Sequence, residues 1–328
     1  MMKKYINKIF NISNFNEFEI SALEAFRFQI KNNIIYKTYC ENLNINSSKV
    51  KNLHQIPFLP VEFFKNNDIV CAGEPYDKIF ISSGTTGMIT SKHLVKDVSL
   101  YEKSFHLSFE QFYGKITDYC ILALLPSYLE RDGSSLVYMA SELIKSSRHK
   151  NSGFFLYDYT NLNAVLSEQI KRNEKTILLG VTFALLDFAE KYPVKLNNTI
   201  IMETGGMKGR RKEITRNELH NILCQSFELK EIHGEYGMTE LLSQAYSKGN
   251  GIFKCPPWMK ILIRDQYDPF SYMDQGKTGG INIIDLANIY SCSFIETKDL
   301  GKLYPDGSFE VLGRFDYSDT RGCNLMVE

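Results

Sequence analysis

Between residues 76 and 227 the chain alternates short apolar runs with longer amphipathic ones, and this alternation restricts the fold more than any other feature. KIFIS is followed by SLYEKSFHLSFEQF, CILALLP by SSLVYMASELIKS, FFLYD by LNAVLSEQIKR, KTILLGV by TFALLDFAEKY, and TIIMETGG by ITRNELHNILCQSF. Short apolar runs read as buried strands, and apolar residues at helical spacing read as helices packed on them. Five such units in succession predict a layered α/β fold with a mostly parallel sheet. From about residue 228 the pattern turns strand-rich, with KEIHGEYG, QAYSK, MKILIRD, GINIIDL, SFIETKDLG and SFEVLGRFD. We therefore expect an N-terminal helical segment over 1–75, an α/β core over 76–227 and a β-rich subdomain with a C-terminal tail over 228–328. In the first segment FNEFEISALEAFRFQIKN is helical, with Ser13 or Asn14 as its cap, and the proline-punctuated IPFLPVEFF is extended or turning.

Charge and cysteine usage exclude several functions. Lys plus Arg and Asp plus Glu each number 38, so the formal net charge is zero and no long-range field draws the protein to nucleic acid or anionic membrane. No window approaches the roughly 18 apolar residues of a membrane span, and the first residues lack the apolar core of a secretory signal. The seven cysteines are odd in number with no CxxC pair, which argues against a disulfide framework or a zinc site. The expectation is a reduced, cytoplasmic protein.

Several loops carry residues suited to binding a nucleotide. ISSGTTGMITSK follows a strand and packs glycines and hydroxyls into Ser82–Gly87, so backbone N–H groups and side chains can face phosphate oxygens. It lacks the GxxxxGK[ST] pattern of a P-loop. HGEYGMTE sets Tyr236 between Gly234 and Gly237 and places the Thr239 hydroxyl beside the Glu240 carboxylate. An aromatic ring can stack on a purine, and a carboxylate with a hydroxyl can hold Mg²⁺. Asp299 in TKDLG can accept two ribose hydroxyls. ETGGMKGRRK and LPSYLERDGSS, with Arg131 and Asp132, follow other strands, and ligands of open α/β sheets bind at strand C-terminal ends. Taken singly, the SSGTTG stretch reads equally well as a polar turn, and HGEYGMTE and the Asp299 stretch read better as a helix cap and a hairpin. His233 alone among the six histidines lies in a candidate site, and a packing role accounts for it equally.

In order, SSGTTG, a strand ending in Gly-Gly, YGMTE, TKDLG and GRFD resemble the adenylate-forming (ANL) superfamily. IPFLPVEFFK, LPSYLERDGSSLVYM, YGMTELLSQAYS, PPWMKILIRD, DLANIYSCSFIETKDLG and GRFDYSDTRGCNLMV resemble, more specifically, the acyl-protein synthetases of bacterial luminescence. The resemblance covers nearly everything after the first helices. It implies that Ser83, Gly84, Thr85, Thr86 and Gly87 bind the phosphates of ATP. Tyr236, with Gly237 after it, and the Gly205–Gly206 turn would flank adenine. Thr239 would touch the α-phosphate, Glu240 would hold Mg²⁺, and Asp299 would bind the ribose with Arg314 beside it. The sequence departs from the superfamily pattern in two places. Gly87 is followed by MITSK, so Lys92 comes two places later than the usual Pro-Lys-Gly lysine. After Asp316 only twelve residues remain, where the superfamily has a mobile domain with a catalytic lysine.

The resemblance further implies that a fatty acid is activated as an acyl-adenylate and loaded onto Cys323, beside Arg321, for transfer to a partner such as an acyl reductase subunit. Two alternatives stay open: delivery to coenzyme A, a carrier or another acceptor on the same fold, and a nucleotide-binding subunit without catalysis.

Overall fold

The computed structural model describes residues 2–73, 75–82, 90–125, 133–205 and 214–314. Three helices open the chain: α1 (Met2–Ile9), α2 (Phe15–Asn32) and α3 (Ile34–Asn42). Asn14 caps α2 by accepting from the Glu17 N–H, while Glu17 reaches back to Ser13, which satisfies N–H groups the first turn leaves open. Next come β1 (Leu59–Pro60), α4 (Phe63–Asn66), β2 (Lys78–Ile81) and β3 (Lys92–Val95). Within IPFLPVEFF, then, the part past the second proline coils into a short helix.

Strand and helix then alternate: α5 (Val98–Tyr113), β4 (Cys120–Leu124), α6 (Ser135–Ser147), β5 (Gly153–Phe154), α7 (Tyr159–Arg172), β6 (Thr176–Val181), α8 (Thr182–Lys191), β7 (Thr199–Thr204), α9 (Arg216–Phe227) and β8 (His233–Tyr236). Six strands complete the described chain: β9 (Ala245–Ser247), β10 (Ile252–Lys254), β11 (Met259–Arg264), β12 (Thr278–Asp285), β13 (Phe294–Leu303) and β14 (Phe309–Arg314).

One sheet orders its strands β11-β12-β13-β14-β10-β9-β8-β7-β6-β4-β5, with β1 parallel to β13. Strands β5, β4, β6, β7 and β8 are parallel, and pairing becomes antiparallel from β8 to β9. Every residue of β4 and β6 is buried, as expected of parallel strands covered on both faces. One unit differs from the sequence reading. KIFI pairs antiparallel with KHLV in a separate two-stranded ribbon, and HGEY supplies the fifth parallel strand. A four-residue apolar run carries no mark of its partner, so the pattern alone could not separate the two.

The chain runs from β4 outward to β5, then back across β4 to β6. That reversal makes a switch point, where the C-terminal ends of an open sheet diverge and leave a crevice. Gly205 and Gly237 lie on this edge, just past the ends of β7 and β8.

The N-terminal helices fasten the segment between β12 and β13. Buried Gln29 donates to the carbonyls of Asn288 (3.1 Å) and Ile289 (3.0 Å) and accepts from the Ser293 N–H (3.0 Å). Asn33 donates to the Ser291 carbonyl at 3.0 Å. These bonds satisfy backbone groups of a buried non-regular segment, which would otherwise be costly.

Candidate active site

The β13–β14 hairpin places Asp299 opposite Arg314, and across the sheet β8 ends on Tyr236. The Tyr236 hydroxyl donates to Asp299 Oδ2 at 2.7 Å, and Arg314 Nε donates to Oδ1 at 3.1 Å. Burial and the adjacent Asp299 push the Tyr236 phenol well up, so it stays a donor. Its ring meets Phe253 and Phe309 edge-on, with centroids 6.0 and 5.8 Å away. Asp299 is thus a buried carboxylate held by two donors, with the Arg314 side chain largely in solvent above it. Each carboxylate oxygen keeps a free lone pair for a further hydroxyl.

Two residues beyond Gly237, Thr239 and Glu240 sit against the base of the β2–β3 ribbon. The Ser82 N–H donates to the Ser91 carbonyl (3.0 Å) and the Ser91 N–H to the Ser82 hydroxyl (2.8 Å), which closes the chain on either side of residues 83–89. The Ser91 hydroxyl hydrogen-bonds the buried Glu240 carboxylate. Burial raises the proton affinity of Glu240, while Ser91 and the Arg314 guanidinium lower it.

Behind this pair His93, fully buried, bridges two segments. Its Nδ1 lies 2.8 Å from the Thr239 carbonyl oxygen and its Nε2 3.0 Å from the Asn288 side-chain oxygen. Both contacts favour the doubly protonated ring and burial favours the neutral one; burial wins and pushes the imidazole down to about 4. Asn288 in turn donates to the Glu240 carbonyl at 2.8 Å and the Cys292 carbonyl at 3.0 Å. Asp285 accepts from the Leu242 N–H (2.7 Å) and the Ser243 hydroxyl (2.6 Å). The backbone carrying Thr239 and Glu240 is therefore fixed on both sides of the turn, and the Gln29 clamp of α2 holds the Asn288 segment from behind.

Tyr236, Gly237, Thr239, Glu240, Asp299 and Arg314 thus converge on the rim where Gly205 follows β7. Thr182 donates to the Gly205 carbonyl at 3.4 Å. Ser83, Gly84, Thr85, Thr86, Gly87, Gly206, Arg131, Asp132 and Cys323 lie outside the described residues. Lys92 opens β3 with an exposed side chain. His233 packs on α5, with its Nδ1 3.3 Å from the Tyr113 hydroxyl, and burial pushes its imidazole down to about 4.

The sequence reading missed His93, Asn288, Ser91 and Glu235. The first two stand 195 residues apart, and only the fold brings them together. Among the described residues no cluster of three or more His, Cys, Asp or Glu side chains forms a metal site, and no helix is long and apolar enough to cross a membrane. A separate cavity of about 310 Å³, lined in part by Tyr39, His54, Phe58, Phe270 and Tyr272, includes none of the converging residues.

A family model described as acyl-protein synthetase, LuxE, matches residues 13–328. No curated protein matches. Among solved structures, the open conformation of 2-hydroxyisobutyryl-CoA ligase in complex with 2-HIB-AMP and CoA aligns with a TM-score of 0.67 at 10% identity, over 93% of this chain and 72% of that one. The same ligase in its thioesterification state gives 0.63 at 11% identity, over 93% and 70%. ATP-bound MatB from Rhodopseudomonas palustris gives 0.56 at 17% identity, over 72% of this chain and 47% of its own. The chain matches about half the length of MatB. At these identities the likeness is one of fold.

Proposed function

Because the chain belongs to the LuxE acyl-protein synthetase family, we propose that it activates a fatty acid with ATP as an acyl-adenylate and transfers the acyl group to its own Cys323. The observation that carries this reading is the joining of Tyr236, Asp299 and Arg314 to Thr239 and Glu240 on one rim, beside the base of the SSGTTG stretch.

A carboxylate resists acyl transfer because oxide is a very poor leaving group. In the first half-reaction one oxygen of the fatty-acid carboxylate attacks the α-phosphorus of ATP, and the bond to the β-phosphate oxygen breaks. Pyrophosphate departs and the mixed anhydride remains. The protein's part is to position the reactants and to stabilise the charge that spreads over the phosphoryl oxygens. Asp299 would hold the ribose and Tyr236 would border the adenine. The Thr239 hydroxyl would donate to the α-phosphate.

Glu240 fits a divalent cation in one respect: it is a buried carboxylate whose one described hydrogen-bonding side chain is the neutral Ser91. Mg²⁺ is commonly held by one or two carboxylates, with phosphates and water completing its shell. Bound there, it would neutralise charge on the phosphates. The Ser91 bond aims the Glu240 carboxylate, and the Asn288 bond fixes its backbone.

In the second half-reaction the Cys323 thiolate would attack the acyl carbonyl, forming the thioester as AMP leaves. Arg321, two residues away in sequence, would favour the thiolate. The thioester then passes to an acceptor, for which an acyl reductase subunit is the fitting class. The six described cysteines are all free thiols, in keeping with a cytoplasmic setting. The deciding experiment is ATP–pyrophosphate exchange with a series of fatty acids. We expect exchange that depends on the acid; exchange that is absent with every acid would refute the reading.

A further inference from the structure

Glu235 immediately precedes Tyr236, yet its side chain takes no part in the contacts described so far. It points to the opposite face of β8, where it is buried. Register pairs it with Thr204 on β7 and with Tyr246 on β9. The Thr204 hydroxyl donates to one carboxyl oxygen, Oε2. The other oxygen lies under the turn: a Cβ on Gly237 would sit 2.6 Å from Oε1 and 3.2 Å from the Gln244 side chain. Only a glycine leaves that space, so the carboxyl and the turn are packed against each other. Two polar atoms on the same face, Gln244 Oε1 and the Tyr246 hydroxyl, are buried with no hydrogen-bond partner among the described residues.

We propose that Glu235 is a positioning residue for the nucleotide cleft, bridging Thr204 at the end of β7 to the Gly237 turn and so setting the separation of Gly205 and Tyr236. This inference rests on the nucleotide reading of that rim. Both ends of the bridge adjoin residues that would border the adenine, because Thr204 is followed by Gly205 and Glu235 by Tyr236.

The protonated acid suits the site better than the carboxylate. Its Oε2 accepts from Thr204, which leaves Oε1, under Gly237 and beside the Gln244 side chain, as the oxygen to carry the proton. Among the described residues the charged form is stabilised there only by the Thr204 hydroxyl. Arg216, from α9, pairs with Glu203 at 3.1 Å, and His220 of the same helix also faces Glu203. Tyr101 and Tyr113 of α5 and Tyr246 of β9 face Glu235 as neutral phenols. Burial, with Glu203 adding to it, pushes the Glu235 carboxyl up to about 7, against the pull of Thr204. As pH rises through about 7 the group ionises beside a second carboxylate, and the turn above it loses its brace.

The test is calorimetric titration of the full chain with MgATP at pH 6.5 and 8.5, in wild type, Glu235→Gln and Thr204→Val, together with the KM for ATP and the kcat of exchange. Glutamine reproduces the neutral acid, so wild type and Glu235→Gln should bind alike at pH 6.5. By pH 8.5 wild type should bind about fivefold more weakly than the variant, the equivalent of one lost hydrogen bond; comparing the two cancels the titration of ATP itself. Thr204→Val should raise the KM for ATP about fivefold at pH 6.5 with kcat unchanged, and it carries the test should Glu235→Gln not fold. Equal pH slopes in wild type and Glu235→Gln, or a Thr204→Val KM equal to wild type, would overturn the inference. ATP binding without acid-dependent exchange would remove the acyl-transfer reading and leave the brace standing. Wild type that binds no ATP would overturn both.

Discussion

Cys323→Ser is expected to abolish the covalent acyl adduct that wild type gains from ATP and a fatty acid, a loss of roughly a thousandfold or more in acylation. The reason is chemical. A thiol with an ordinary pKa of about 8.5 yields some thiolate at physiological pH, whereas a serine hydroxyl needs a general base. Pyrophosphate exchange is the reversal of adenylate formation and uses no thiol, so it monitors the first half-reaction independently. Intact-mass measurement reads the outcome directly: an acyl increment on wild type and none on the variant. An increment that persists on Cys323→Ser would move the acceptor to another residue. The six described cysteines would be poor replacements. Burial pushes the thiols of Cys40, Cys71, Cys120 and Cys255 up to about 12, that of Cys292 higher still, and that of Cys224 upward.

The second large effect is expected at Asp299. Asp299→Asn keeps the size of the side chain and one acceptor oxygen but removes the charge. It leaves Tyr236 and Arg314, now 2.7 and 3.1 Å from carboxylate oxygens, competing for that oxygen with the ribose. Hydrogen bonds to a charged acceptor are worth about 1.5–3 kcal/mol each. We therefore expect kcat/KM for ATP in exchange to fall about a hundredfold, with most of the loss in KM because the ribose is bound equally in the ground and transition states. Tyr236→Phe removes one donor and leaves the carboxylate, so its loss should be several times smaller. An unchanged KM in a folded Asp299→Asn protein would place the ribose elsewhere.

Which parts of this site could be read from the sequence follows from how each residue acts. Tyr236, Glu240 and Asp299 belong to short motifs in which glycine, aromatic and carboxylate lie within a few residues, so local chemistry announced them. Glu235 sits inside such a motif and was passed over, because its role depends on Thr204 31 residues earlier and on the side of the strand it faces. His93 and Asn288 lie in stretches with no unusual composition, and their meaning comes from hydrogen bonds spanning 146 and 48 residues. The fold shows the same division. The β4 to β7 units were legible because each strand is followed by its own covering helix. KIFI was assigned to the wrong sheet because its partner, KHLV, is a polar-starting strand beyond a glycine-rich stretch. HGEY, with a glycine and a buried glutamate, lacks the apolar run by which the other parallel strands were recognised.

The most direct measurement is a crystal structure of the full chain with a non-hydrolysable acyl-adenylate analogue. The account predicts one molecule on the rim formed by Gly205, Tyr236 and Asp299, its ribose hydroxyls on the Asp299 carboxylate and its phosphate-side linkage turned toward Thr239. An analogue seated instead in the cavity beside Tyr39 and Tyr272, with Asp299 still held only by Tyr236 and Arg314, would contradict it.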